Sequence, residues 1–183
     1  PTIACITSMD VDHLDVYSDA TSLQDAYEEF ASQVKGSLFV EKNVALKGIT
    51  YSVTEEADFY IDGIRPDASG SYFDLHTPYG IYRNQFFNQL GMHNLSNALV
   101  ALAMASKVGL QVEDLAKSLA SFPGVQRRLQ VLINEEDRVL IDDYAHHPTE
   151  IKAVYETLKL SFPADKKCVV FQPHLFSRTQ DFM

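Results

Sequence analysis

Two short polar segments carry the residue types best suited to chemistry, and each of them follows an apolar run. Residues 142–150 read DDYAHHPTE, and residues 171–182 read FQPHLFSRTQDF. The first segment ends in PTE, which predicts a helix start, because proline suits the first helical position and carboxylates suit the first turn. The second follows a strand-like run at 168–171. Because ligands of open α/β sheets bind at the carboxyl ends of strands, both segments predict a ligand site there.

A third cluster combines carboxylates with one imidazole. Residues 10–15 read DVDHLD and follow the first strand-like run. These ligand types suit Mg²⁺ or Mn²⁺ bound beside phosphates. The alternative is a polar turn whose aspartates cap the next helix. His146 and His147 are a poorer metal pair, because side chains of adjacent residues diverge.

Two further segments are suited to binding a nucleotide. The sequence GMHNLSN at 91–97 places His93 and Asn94 in the first turn of a predicted helix. An asparagine amide can pair with the N6/N7 edge of adenine, although ordinary helix capping is the alternative. The pair Arg127-Arg128 follows FPG, and a guanidinium fork fits phosphate oxygens. An exposed basic pair in a linker is the alternative for these arginines.

Composition narrows the class of protein. The chain has 183 residues and is 46% hydrophobic, which is enough for a core and one or two domains. Its net charge of −10 argues against a nucleic-acid surface, but local basic groups or cations still permit an anionic substrate. The cysteines Cys5 and Cys168 indicate neither a disulfide framework nor a cysteine metal site. Without a long apolar run or a signal-peptide pattern, we expect a cytoplasmic protein that does not associate with membranes.

The hydrophobic pattern predicts an α/β protein. Alternation with intervening turn signals predicts an antiparallel meander over 57–66, 70–77 and 80–87. Further strands are predicted at 3–7, 37–40, 48–53, 128–133 and 138–142, and helices at 23–34, 91–109 and 112–122. Since the chain opens directly on a strand and stops where a helix begins, we expect a piece of a longer protein.

Five segments, taken in order, resemble one family. They read ITSMDVDHLDVY, GMHNLSNALVALAMA, FPGVQRRLQ, IDDYAHHPTEI and FQPHLFSRTQDF. They resemble the Mur ligases over essentially the whole chain, and most closely the members that join L-alanine to UDP-N-acetylmuramate. The resemblance implies an ATP- and Mg²⁺-dependent amide ligase of peptidoglycan synthesis. In such a ligase ATP activates the muramyl carboxylate as an acyl phosphate, which the amine of L-alanine then attacks.

The resemblance also implies a domain arrangement. Residues 1–125 would be the C-terminal part of a P-loop-type central ATP-binding domain that includes the meander, and residues 126–183 would begin a Rossmann-like βαβ domain. The chain contains no G-x-x-x-x-G-K-[ST] loop, which such ligases need to cradle the phosphates of ATP. We therefore expect the 183-residue chain to be inactive by itself.

Site roles follow from the resemblance, position by position. The matched residues are His13 for a second Mg²⁺, His93 and Asn94 for adenine, Arg128 for phosphate, Asp143 for ribose, and His146 and Arg178 for the carboxylate of the incoming amino acid. Two positions depart from the pattern. Leu175 stands where many relatives that add alanine have an arginine, and Glu28 stands where several sister ligases have a modified lysine that bridges metals.

Two other functions remain open at this point. One is a murein-tripeptide recycling ligase, which has very similar motifs. The other is a nucleotide- or sugar-phosphate-binding module without catalysis, which the missing phosphate loop permits. The sequence does not predict the oligomeric state.

Overall fold

The computed structural model describes residues 1–9 and 20–172. Within them lie a six-stranded sheet, a two-stranded sheet and four helices, which confirms the predicted α/β class. The cluster at 10–15 with His13, as well as Leu175 and Arg178, lies outside the described residues. None of the helices in the described part has the length and apolar character needed to cross a bilayer.

The larger sheet is built in chain order. Its strands are β1 (Ile3–Ile6), β2 (Ser37–Glu41), β3 (Ile49–Ser52), β4 (Phe59–Asp67), β5 (Gly70–Thr77) and β6 (Gly80–Phe87). The first four pair in parallel, and β4, β5 and β6 form the predicted antiparallel meander. Phe39 and Val40 of β2 are both fully buried, as expected for a strand covered on both faces of a parallel sheet.

Three helices accompany the sheet, and the last two of them complete its core. They are α1 (Ala20–Ser32), α2 (Met92–Lys107) and α3 (Val112–Leu119). Leu95, Leu99 and Leu102 of α2 are buried and belong to the same apolar cluster as Phe39 and Tyr51 of the sheet. The helical spacing of these leucines therefore fixes which side of α2 packs on the sheet, and the N-terminus of α2 remains available to a cleft.

The last described part of the chain forms a smaller unit. It contains the antiparallel pair β7 (Gln130–Asn134) and β8 (Val139–Asp142), followed by α4 (Pro148–Ser161). Pro148 occupies the first turn of α4, as predicted, and His147 is the N-cap. The strand-end segment DDYAHHPTE thus joins β8 directly to α4.

The prediction of a strand at 168–171 is wrong for this structure. These residues form no strand, and Val169, Val170 and Phe171 are 65%, 95% and 50% exposed. A strand requires a partner for its hydrogen bonds, and β8 pairs only with β7 among the described residues. The apolar composition of the run was therefore not enough to make a strand.

Candidate functional site

A cleft of about 790 Å³ separates α2 and α3 from the Arg128 loop, the β8–α4 loop and α4. Its volume lies within the range of about 300–1,000 Å³ that is typical of small-molecule sites. Its polar lining consists mainly of His93, Asn94, Asn97, Arg128, Asp143 and Glu150. Its apolar wall includes Leu102, Leu115, Leu119, Phe122, Val125 and Val154. An apolar wall beside a few converging polar groups suits a flat ring that carries a polar edge.

A glycine shapes the N-terminal end of α2. Gly91 is the N-cap residue with φ 93°, in the left-handed region that favours glycine. A Cβ at Gly91 would lie 2.6 Å from Cδ1 of Leu129 and 2.9 Å from Cε1 of His93. Leu129 is itself buried and left-handed, with φ 46°. The absence of a side chain at Gly91 therefore lets Leu129 and His93 approach the start of α2 together.

Asn94 does not cap its helix. Its Nδ2 donates a hydrogen bond of 2.8 Å to the backbone carbonyl of Leu90. The capping alternative would require the Asn94 oxygen to accept a backbone N–H, whereas the bond that the structure gives the Asn94 side chain is donated to a backbone carbonyl. The bond to Leu90 instead fixes the orientation of the Asn94 amide in the lining of the cleft.

His93 is an electrically neutral group at the same end of the cleft. Burial, the largest influence, lowers the pKa of His93 below its ordinary value. The negative charges of Asp143 and Glu150 raise the pKa, and the positive charge of Arg128 lowers it further. The lowered pKa leaves the imidazole uncharged near neutral pH, so that it can act as both donor and acceptor.

Asp143 anchors the opposite wall. Its Oδ2 accepts from the backbone N–H of Leu129 at 2.8 Å, and its Oδ1 accepts from the N–H of Ala145 at 2.7 Å. Because a carboxylate has about four lone-pair sites, these two bonds leave acceptor capacity for a hydroxyl. Asp143 thus holds the left-handed backbone of Leu129 in place while lining the cleft.

The two adjacent arginines separate. Arg127 stacks over the Tyr144 ring at 4.6 Å from the centroid, and its Nε lies 3.7 Å from Oδ2 of Asp142. Arg128 lines the cleft, where its Nη1 lies 3.8 Å from Oε1 of Glu150. Only the second arginine of the pair is therefore placed to meet a ligand in the cleft.

His146 lies beside Glu150, which lines the cleft. Its Nδ1 is 2.9 Å from the Tyr144 carbonyl and 3.7 Å from Oε2 of Glu150. His147 has a different role, since its Nδ1 accepts from the N–H of Thr149 and caps α4. The two histidines do not form a metal pair, and residues 1–9 and 20–172 contain no group of three or more His, Cys, Asp or Glu side chains placed to hold a metal.

Glu150 is a cleft residue whose function the sequence reasoning missed. The sequence indicated only that it lies in the first turn of a helix. In the structure the pKa of Glu150 lies below its ordinary value. Burial is the largest single influence and raises the pKa. Hydrogen bonds from the N–H groups of His146 and His147, together with the nearby charges of His146 and Arg128, outweigh burial and lower it. The motif offered one signal, an acid three residues after the N-cap, which is typical of a capping box.

The chain matches known domains and proteins along its length. Residues 1–105 match the Mur ligase middle domain, and residues 127–183 match the Mur ligase glutamate ligase domain. It is 47% identical to a UDP-N-acetylmuramate–L-alanine ligase of Christiangramia forsetii and 48% identical to that of Flavobacterium psychrophilum. Both alignments cover 100% of this chain, which spans about 41% of the length of each relative.

Solved structures agree with this assignment. The crystal structure of a UDP-N-acetylmuramate–alanine ligase from Thermotoga maritima has a TM-score of 0.82 and 26% identity, over 95% of this chain and 42% of that one. MurF from Acinetobacter baumannii has the same fold, with a TM-score of 0.76 at 24% identity over 88% of this chain and 38% of that chain. The match to the middle domain covers more than half of the sequence. The chain therefore belongs to the Mur ligase family.

Proposed function

We propose that this chain is part of an ATP-dependent ligase that joins L-alanine to UDP-N-acetylmuramate in the cytoplasm. The observation that carries the proposal is one cleft lined by His93 and Asn94 on one side and by Arg128 and Asp143 on the other. The family resemblance implies that these residues bind different parts of a single ATP molecule. The relatives at 45–48% identity bear the name of this activity.

The cleft fits an adenine nucleotide. Its apolar wall offers a surface for the adenine ring, and the oriented Asn94 amide offers a polar edge for the N6/N7 side of that ring. Asp143 retains acceptor capacity for a ribose hydroxyl, and the Arg128 fork suits phosphate oxygens. When bound, ATP supplies the phosphoryl group that activates the muramyl carboxylate, while these side chains bind and orient the nucleotide.

The remaining roles belong to the same proposal. His13 would hold a second Mg²⁺, and His146 and Arg178 would flank the carboxylate of L-alanine. We also propose that residues 1–125 belong to the central ATP-binding domain and residues 126–183 to the start of the C-terminal domain. The cleft would then be the junction of the two domains, so that both must be in place before ATP is fully contacted.

The test uses the intact ligase that contains this chain. Given ATP, Mg²⁺ and UDP-N-acetylmuramate, the enzyme should form UDP-N-acetylmuramoyl-L-alanine when L-alanine is added, with release of one phosphate per product. A parallel reaction should contain the murein tripeptide in place of L-alanine. Turnover with the tripeptide alone would assign the recycling activity, and nucleotide binding without turnover on either substrate would assign a binding module.

A further inference from the structure

Glu150 makes two kinds of contact with its two carboxylate oxygens. Oε2 accepts from the backbone N–H of His146 at 3.1 Å and from that of His147 at 3.3 Å. Oε1 lies 3.8 Å from Nη1 of Arg128. Glu150 also lines the cleft together with Arg128. One side chain thus connects the capped start of α4 to the arginine that lines the cleft.

Helix capping explains only half of this arrangement. The capping box of α4 is completed by Oε2, and a glutamine at the same position would complete it equally well. The negative charge suits the first turn of a helix, but the direction of Oε1 toward Arg128 is not required for the cap. Oε2 also lies 3.7 Å from Nδ1 of His146, so the contact that remains to be explained is the one between Oε1 and Arg128.

The ion pair is too loose to matter much for folding. The side chains of Arg128 and Glu150 are 47% and 38% exposed, and pairs of this kind contribute little to stability because water screens them. Yet an arginine side chain is flexible, and restraining it before a ligand arrives reduces the entropy lost on binding. The Glu150 carboxylate is the ion-pair partner that the described residues provide for Arg128.

We propose that Glu150 is a positioning residue that holds the Arg128 guanidinium over the cleft, ready to receive the phosphates of the nucleotide. The inference rests on the proposed function, which gives Arg128 its phosphate contact. Glu150 does not touch the nucleotide in this account. Glu150 restrains the position of the Arg128 guanidinium group before the nucleotide binds. The phosphate oxygens then form bidentate hydrogen bonds with that group.

The experiment is a double-mutant cycle in the intact ligase with Glu150→Gln, Arg128→Ala and the two combined. Glu150→Gln should raise the KM for ATP about fivefold, as expected when one flexible side chain is no longer restrained, and should change kcat little. The melting temperature should stay close to that of the wild type, because glutamine preserves the cap. In the Arg128→Ala background, Glu150→Gln should add no further increase, since the residue through which it acts is gone.

The matched control is Glu156→Gln. Glu156 lies on the same helix and pairs with Lys159 at 3.1 Å, away from the cleft lining, so the change should leave the KM for ATP at its wild-type value. An equal increase from Glu150→Gln with and without Arg128 would overturn the inference, because it would show a general structural effect. An unchanged KM in Glu150→Gln, with an increase in Arg128→Ala, would overturn it while leaving the proposed function intact. No increase in Arg128→Ala would instead remove the phosphate role of Arg128, and the inference with it.

Discussion

The pKa of His93 is lowered mainly by burial, and this shift makes stability depend on pH. The lowered pKa means that, as pH falls below the unfolded value of about 6.5, the unfolded chain takes up a proton that the folded chain does not. The imidazole therefore makes the free energy of unfolding smaller as the pH falls through the range between the unfolded and folded pKa values. The penalty is complete below the folded pKa and absent at neutral pH.

The first prediction tests this linkage with His93→Gln, which keeps a polar side chain but does not titrate. The difference in unfolding free energy between the variant and the wild type should favour the variant more at about pH 5 than at about pH 7.5. The reason is that the variant lacks the destabilisation that the wild type acquires from His93 at low pH. Urea unfolding at both pH values measures the difference. A change in unfolding free energy that is the same at the two pH values would show that His93 is not the group responsible.

The second prediction concerns the two backbone hydrogen bonds that Asp143 accepts. Asp143→Asn should lower the free energy of unfolding by about 1–2 kcal/mol, because an amide can accept only one of the two backbone N–H bonds and its NH₂ would face the other donor. Asp142→Asn is the control, since the side-chain contact that the described residues give Asp142 is an exposed one, with Nε of Arg127 at 3.7 Å. Urea unfolding should separate the two variants. Equal losses in both would contradict the anchoring role of Asp143.

Among the elements, α2 depends on how closely the Leu129 segment approaches its first turn. Gly91→Ala would place a Cβ 2.6 Å from Leu129 and would also strain the backbone at φ 93°. Gly109→Ala has a similar backbone strain, at φ 97°, but no neighbour within 4 Å. The difference between the two variants therefore isolates the contact from the backbone conformation.

The third prediction is that Gly91→Ala destabilises the protein more than Gly109→Ala. The backbone term is about 1–3 kcal/mol for each, and the collision at Gly91 should add about 1–3 kcal/mol, as overpacking does elsewhere. Chemical unfolding measures both. If the two variants lose the same stability, Leu129 moves aside freely and does not form a fixed part of the cleft.

The comparison of α4 with residues 168–171 shows what the sequence could predict about elements. The start of α4 depends on local chemistry, a proline in the first turn with a carboxylate near it, and it was predicted correctly. The meander was also predicted, because alternation and turn residues are local signals. The run 168–171 has a strand-like composition, but a strand depends on a distant partner, and composition does not show whether that partner is present.

The candidate site also combines features that are visible in the sequence with features that depend on tertiary structure. The sequence identified Asn94 and Arg128 as residues that could bind a ligand, but only the tertiary structure shows that they line one cleft. It could not show that Asn94 bonds to the Leu90 carbonyl, that Arg128 turns toward Glu150 while Arg127 does not, or that Asp143 holds Leu129. Each of these contacts follows from the path of the backbone and not from the residue types.

At the scale of the whole molecule, the cleft joins parts of the chain that are far apart in sequence. One wall belongs to α2 and α3 and the other to residues 125–154. The net charge of −10 carried by these 183 residues does not attract an anionic nucleotide, so the attraction must come from local groups such as Arg128 and from bound cations. The proposal therefore depends on short-range contacts at both ends of the nucleotide, with Arg128 at the phosphates and Asn94 at the adenine.

The central claim is that this cleft recognises the adenine of ATP, and the most direct test is the KM for ATP in the intact ligase with Asn94→Ala. Removing the oriented amide should cost about 1–3 kcal/mol, so the KM for ATP should rise about 5- to 150-fold, while the KM for L-alanine stays the same. Asn43→Ala, in the exposed turn after β2 where Asn43 contacts Glu41, should change neither constant. A KM for ATP that is unchanged in Asn94→Ala would contradict the account.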